Sequence, residues 1–170
     1  MIVQITLTRN ELFLIKEMLP LWQKYADGFV FMDDCSTDGT YEFLIENKDK
    51  YNILDVLQTE YAGQPTNAES VVRQKLFDKA FYHSGNITCL DTDEYFDGAM
   101  SKEQLEYILS QNRNTLFHTQ WIQYTDTNTV RVDGPWGYNL KDRVGSYSDR
   151  GIFSDASMHS EHLPVPEKQA

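Results

Sequence analysis

Cysteine is scarce in this chain, with 2 among 170 residues, Cys35 and Cys89. They lack the short spacing of thiolate metal sites or redox pairs. Each lies in or beside an apolar run, so both read as small buried hydrophobes. Long apolar runs are missing too, and no segment approaches the ~20 residues of a transmembrane helix. The opening MIVQITL has neither a basic region nor an apolar stretch long enough for a secretory signal. Together these absences set a reducing cytoplasm as the expected location. Positive charge is also short: 15 Lys and Arg against 26 Asp and Glu give a net charge of -11. That excess argues against a nucleic-acid backbone or an anionic membrane as the main partner. It leaves phosphate ligands open, because a divalent ion can bridge them to carboxylates.

What is present is ordinary for a globular protein: 41% hydrophobic and 24% charged residues. The length suits one domain over residues 1–170 with one proper core. No internal repeat or low-complexity stretch interrupts it.

The first half alternates strand and helix. Ile2–Leu7 is a β-rich run, and Leu12, Ile15, Met18, Leu19 and Trp22 follow at helical spacing. Thr8 or Asn10 is expected to cap that helix. Phe29–Met32 is a second strand, Tyr41 to Asn47 a helix, and Ile53–Leu57 a third strand. Thr66 with Glu69 forms the pattern of a capping box opening a helix through Phe81. Ile87–Leu90 is a fourth strand. Ser101 with Gln104 forms another capping box, ahead of Leu105, Ile108 and Leu109. Leu116–Tyr124 and Thr129–Val132 read as strands, with a hairpin around Asp126-Thr127-Asn128. Asp133–Ser148, rich in Gly, Tyr and Trp, reads as an ordered functional loop, and a short strand is expected around Ile152-Phe153. The fold class is therefore α/β: a mixed, mostly parallel central sheet flanked by helices, with antiparallel strands only in the second half.

Three polar loops follow strands on what must be one sheet edge. They are Thr8-Arg9-Asn10-Glu11, Asp33-Asp34-Cys35-Ser36-Thr37-Asp38-Gly39-Thr40, and Asp91-Thr92-Asp93-Glu94. Open α/β sheets bind ligands at the carboxyl ends of their strands. Clustered carboxylates raise one another's pKa unless a cation or hydrogen-bond donors neutralise them, so the last loop reads as a metal site or a solvated turn.

The runs FVFMDDCSTDGTYEFL and LDTDEYFDG resemble two segments of family 2 glycosyltransferases, the D-D-x-S-x-D-G-T nucleotide loop and the D-x-D segment of the GT-A fold. TLTRNE is similar to the R-N-E of a related branch, and the order and spacing of the three agree. The resemblance covers residues 1 to 100, and beyond them it rests on His159-Ser160-Glu161-His162-Leu163-Pro164. It implies a GT-A, Rossmann-like domain with a donor-binding half over 1–100 and an acceptor- and metal-completing half over 101–165. It further implies a metal-dependent, inverting transfer of a sugar from a nucleoside diphosphate, uridine diphosphate by preference, to a glycan or other hydroxyl acceptor.

By matching position, the resemblance makes Asp93 a direct ligand of Mn²⁺ or Mg²⁺. Asp91 would contact the donor ribose or a metal-bound water and is a second candidate ligand. Asp33 would meet the base or ribose, with Thr8, Arg9, Glu11, Asp34 and Thr92 around the nucleotide. Arg73 would stand near the phosphates. His159 is the expected third ligand, with His162 its competitor. Oxygen donors with an occasional imidazole suit these ions. An inverting reaction needs a carboxylate base, for which Glu161, Asp155 and Asp133 are candidates, although the family's E-D base motif is not evident. Trp136, flanked by Gly134-Pro135 and Gly137, is the candidate acceptor platform, with Trp121 and Tyr138 as further aromatics. Asp38 is expected to shape its loop or cap a helix, and Glu94 and Asp97 to hold theirs.

Other classes fit less well. In Asp-x-Asp phosphatases of the haloacid-dehalogenase type the motif follows the first strand. Receiver domains place paired acids there too, and a sugar nucleotidyltransferase would show a Gly-rich phosphate loop near the start. The alternatives kept are a non-catalytic glycan- or nucleotide-binding domain on the same fold and an Asp-x-Asp phosphatase-like hydrolase.

Overall fold

The computed structural model describes residues 1–133, 139–153 and 162–166. Its centre is a six-stranded sheet of order β3-β2-β1-β4-β8-β5. The strands are β1 (Val3–Thr8), β2 (Gly28–Asp33), β3 (Ile53–Gln58), β4 (Asn86–Cys89), β5 (Thr115–Trp121) and β8 (Asn139–Ser146), with a hairpin of β6 (Tyr124–Asp126) and β7 (Thr129–Val130) apart from it. Strands β1 to β4 pair in parallel. β8 runs antiparallel between β4 and β5. The expected mixed, mostly parallel α/β sheet is thus what the chain forms.

Side-chain alternation on strands buried from both faces divides the core. Val3, Ile5, Val30, Met32, Ile87 and Cys89 pack with Val72, Leu76, Phe77 and Ala80 of α4 (Gln64–His83). Phe29 and Phe31 pack on the other face with Ile15, Leu19 and Trp22 of α1 (Leu12–Trp22) and Leu44 of α2 (Thr40–Glu46). A short helix, α3 (Lys48–Tyr51), precedes β3, and α5 (Lys102–Gln111) buries Leu105 and Leu109 against Val144 and Ile2.

Several local expectations are corrected. The stretch read as a loop from Asp133 to Ser148 contains β8, an interior strand of the sheet. Its polar sequence NLKDRVGS hides it, because long-range pairing with two neighbours, not hydrophobic periodicity, holds it. The Thr66–Glu69 capping box does not form. α4 instead starts after Gly63, at φ 82°, and Ala68 breaks helical geometry at φ -148°. Glu69 bonds Arg73 instead. Neither Thr8 nor Asn10 caps α1; the Leu12 N–H donates to Asp38 Oδ2 across the sheet edge. Ile152 and Phe153 lie in no strand. The Ser101–Gln104 capping box is present in both halves. No helix among the described residues is long and apolar enough to cross a membrane.

Candidate functional site

Strand order reverses direction at β1: β2 and β3 lie to one side of it and β4 to the other. The carboxyl ends of β1, β2 and β4 therefore frame a switch-point crevice, the general ligand position in such sheets. Asp33 pairs in register with Thr8, and Leu90 donates its N–H to the Ile5 carbonyl. Asp33 and Asp91 thus flank β1 at nearly the same height, two strand spacings or roughly 10 Å apart.

On the β2 side, the loops after β1 and β2 are stitched together. Asn10, at φ 54°, donates its N–H to Ser36 Oγ, and its side-chain oxygen accepts from the Thr37 N–H. The Glu11 N–H reaches Thr40 Oγ1. Asp38 joins both helices, accepting from Leu12 through Oδ2 and from Thr40 through Oδ1. Cys35 holds φ 50°, a region unusual for a non-glycine residue.

The paired acids of this loop separate cleanly. Asp34 is saturated: Thr59 Oγ1 at 2.7 Å, the Gly63 N–H at 3.0 and 2.8 Å to its two oxygens, and Arg9 Nη1 at 3.4 Å. It ties the ends of β1, β2 and β3 to the start of α4. Asp33 is fully buried, and its Oδ2 accepts from the Ser36 N–H and Gln58 Nε2. Its Oδ1 has no hydrogen-bond partner among the described residues. A carboxylate oxygen left so costs about 1–3 kcal/mol, which a ligand donor would recover. Thr8 and Glu11 bond each other at 2.9 Å, and Arg9 is half exposed.

On the β4 side, Thr6 Oγ1 holds the Leu90 carbonyl at 2.9 Å, and the buried Trp22 donates its indole N–H to the Glu94 carbonyl at 2.7 Å. Glu94 closes the turn by accepting the Asp91 N–H at 3.1 Å, so it does hold the loop. Asp97 likewise accepts the Ala99 N–H. Arg143, on β8, donates from Nη2 to Asp91 Oδ2 at 2.8 Å and to Glu94 Oε1 at 2.5 Å, with only 4% of its side chain exposed. His162 Nε2 lies 3.9 Å from the same Asp91 oxygen. Thr92 is buried and Asp93 exposed.

The electrostatics follow from this packing. Burial raises the Asp91 carboxyl, but the Arg143 charge foremost outweighs it and holds Asp91 below the usual carboxylate range. Burial lifts Glu94, and the neighbouring Asp91 adds to the lift against Arg143. Burial, with Arg143 and Arg73, pushes His162 down to about 3. At neutral pH its imidazole is therefore uncharged, and its approach to Asp91 is not an ion pair. A neutral imidazole is the form that binds metal.

Arg73 is buried, held by Glu69 at 2.7 Å, with Nη1 3.9 Å from Cys89 Sγ. Trp121 lies under Lys141 Nζ, 5.4 Å from its ring centroid. Asp133 is exposed and tied to Arg131 at 2.8 Å, which holds its carboxyl below the ordinary range. Among the described residues no hydrogen bond or ion pair links it to Asp91. Trp136, Tyr138, Asp155, His159 and Glu161 lie outside the described residues. His83 and His118 pair with Asp55 and Asp142 respectively.

No three His, Cys, Asp or Glu side chains among the described residues are gathered tightly enough to enclose a metal ion. Mg²⁺-like ions do not need such a cage, since one or two carboxylates with substrate phosphates suffice. Asp91 Oδ2 and His162 Nε2, 3.9 Å apart, are an oxygen and a neutral nitrogen donor of the kind such ions accept, although Arg143 Nη2 bonds the same Asp91 oxygen here. Sequence reasoning missed Arg143 because it missed β8. The only signal was a single arginine beside Val144 and Gly145.

No family model matches the sequence, and no curated protein matches it. Among solved structures, S. aureus TarS 1-349 is similar at 26% identity and TM-score 0.46 over 64% of this chain, which spans 31% of that chain. TarS 1-349 in complex with UDP is similar at 25% identity and TM-score 0.46, over 64% and 31% of the two chains. The mannosyltransferase PcManGT from Pyrobaculum calidifontis, in complex with GDP-Man and Mn2+, is similar at 20% identity and TM-score 0.43, over 57% and 28%. None of these likenesses assigns a role to a residue.

Proposed function

We propose that the chain carries the donor site of a metal-dependent glycosyltransferase of the GT-A type. It moves a sugar from a nucleoside diphosphate, preferably uridine diphosphate, to a hydroxyl acceptor with inversion. One observation carries the reading: the fully buried Asp33, whose Oδ1 has no hydrogen-bond partner among the described residues, ends β2 on one side of β1, and the Asp91–His162 pair stands on the other. Asp33 Oδ1 accepts a hydrogen bond from the base or a ribose hydroxyl. Asp34, its oxygens already taken, positions that wall instead of binding the nucleotide, and half-exposed Arg9 borders it.

Asp91 and Asp93 would hold the divalent ion with a histidine of the 159–162 segment, where His162 has the supporting geometry. When bound, the ion supplies Lewis-acid stabilisation of the leaving diphosphate. The acceptor proton passes to a carboxylate within hydrogen-bond reach, with Asp155 and Glu161 the favoured candidates. Asp133 is a poorer base because Arg131 stabilises its ionised form. Trp136 would offer a ring face to the acceptor sugar.

A screen of nucleotide sugars for hydrolysis in Mn²⁺ tests the reading without an acceptor. Release of nucleoside diphosphate from a UDP-sugar is expected, abolished by EDTA and cut at least ~100-fold, about 2.7 kcal/mol, in Asp91→Asn. Release that survives both changes contradicts it. Nucleotide binding without any turnover would assign a binding domain instead.

A further inference from the structure

The buried arginine on β8 is a fixed cation at the spot where the proposed reading needs a mobile one. Arg143 Nη2 bonds Asp91 Oδ2, the oxygen that also faces His162 Nε2. The guanidinium therefore occupies the position through which Asp91 would bind an ion. Its hydrogen-bonding capacity is not filled among the described residues. Nε and Nη1 are buried and have no hydrogen-bond partner among the described residues. Guanidinium N–H groups left unpaired in a 4% exposed side chain are costly, and their natural complement is a phosphate oxygen, which arginine grips in bidentate fashion. Arg73, paired with Glu69, has its Nη1 3.9 Å from Cys89 Sγ and adds to the positive field there.

We infer that Arg143 couples divalent-ion binding to diphosphate binding: without ligand it stands in for the ion at Asp91 Oδ2, and with ligand it gives up that oxygen and donates to the diphosphate through its unpartnered N–H groups. This rests on the donor-site reading above. Its consequence is that the ion alone binds poorly, because it must displace a buried cation from its carboxylate. The ion and the diphosphate together bind well, because the displaced guanidinium then meets an anion. Such coupling is reciprocal. Arg143 is a diphosphate-binding residue in this scheme, and it sets the order and linkage of binding.

The test measures Mn²⁺ affinity from the electron paramagnetic resonance of free Mn²⁺. It compares wild type, Arg143→Gln and Arg143→Lys, each alone, with inorganic pyrophosphate and with UDP. In wild type, pyrophosphate and UDP should each tighten Mn²⁺ binding at least ~10-fold, a coupling of about 1.4 kcal/mol. In Arg143→Gln, Mn²⁺ alone should bind several-fold more tightly than in wild type, and the enhancement by either diphosphate should fall below ~3-fold. Arg143→Lys keeps the charge but not the fork and should recover part of the enhancement. Circular dichroism melts confirm that the variants are folded; should Arg143→Gln not fold, the Lys variant's weaker enhancement carries the test.

Wild-type coupling that persists unchanged in a folded variant overturns the role of Arg143 and leaves the donor site standing. Weaker binding of Mn²⁺ alone in Arg143→Gln overturns it too. Wild-type protein that binds neither Mn²⁺ nor UDP overturns the donor-site reading itself, and this inference with it.

Discussion

Arg143 and Asp91, 52 residues apart in sequence, meet at 2.8 Å between Nη2 and Oδ2. The contact joins an antiparallel strand of the second half to the acidic turn that ends the parallel half. It brings β8 to the candidate site as well as to the sheet. Asp34 plays the matching part on the other side of β1, as a buried carboxylate shared by three loops.

Replacing Asp34 with Ala should therefore act on stability before it acts on binding. It strands the Gly63 N–H and the Thr59 hydroxyl, and loss of charged hydrogen bonds of this kind costs about 3 kcal/mol. Urea denaturation should show that drop. Asp33→Asn should instead leave the unfolding free energy within about 1 kcal/mol of wild type while UDP affinity falls ~10-fold or more. Equal loss of stability in both variants would show that the two acids are not divided in role.

The order of these roles was only partly legible in the sequence. β1, β2 and β4 could be read because they are rich in β-branched and aromatic residues, and their polar endings marked one edge. Asp33 and Asp34 look alike as neighbours in a turn, and only the folded positions of Gly63, Thr59 and Gln58 tell them apart. β8 could not be read, because the polar NLKDRVGS is held by two partners distant in sequence, and Arg143 was lost with it. Thr66 and Glu69 had the spacing of a capping box, but Gly63 begins the helix earlier and Arg73 claims the glutamate.

Metal-free protein in EDTA should lose stability as pH falls from neutrality. Unfolded, His162 takes up a proton near 6.5; folded, it does so only near about 3. The unfolded state binds more protons in that window, so stability is present above 6.5 and declines below it, with a slope of up to ~1.4 kcal/mol per pH unit from this group. Asp91, held below its ordinary value, adds a loss of the same sign at lower pH. Glu94 acts oppositely, since its raised carboxyl favours the fold only while protonated. Urea midpoints from pH 7 to 4.5 should fall more steeply in wild type than in His162→Gln; parallel lines would refute the assignment.

The two cysteines should separate by reactivity. Cys89 is 2% exposed, and burial pushes its thiol up to about 11 against the nearby arginines. Cys35 is half-buried, near Thr59 on the crevice loop. Iodoacetamide at pH 8 should label Cys35 in the native protein and reach Cys89 only in urea, as peptide mass spectrometry would show.

Gly85, just before β4, tests the sheet independently of the site. A Cβ there would lie 2.0 Å from the Tyr147 carbonyl oxygen, whose residue donates its own N–H to the Gly85 carbonyl. Backbone on both sides leaves little room to yield, so Gly85→Ala should cost about 3 kcal/mol or more in a urea titration. A near-neutral result would contradict the β4–β8 register.

Calorimetry of UDP binding in Mn²⁺ and in EDTA, with wild type and Asp91→Asn, reaches the central claim most directly: one crevice at the ends of β1, β2 and β4 holds a nucleoside diphosphate through a divalent ion. Binding in Mn²⁺ that disappears in EDTA and in folded Asp91→Asn is the expected result. Binding of equal strength under all three conditions, or no binding by wild type in Mn²⁺, would contradict it.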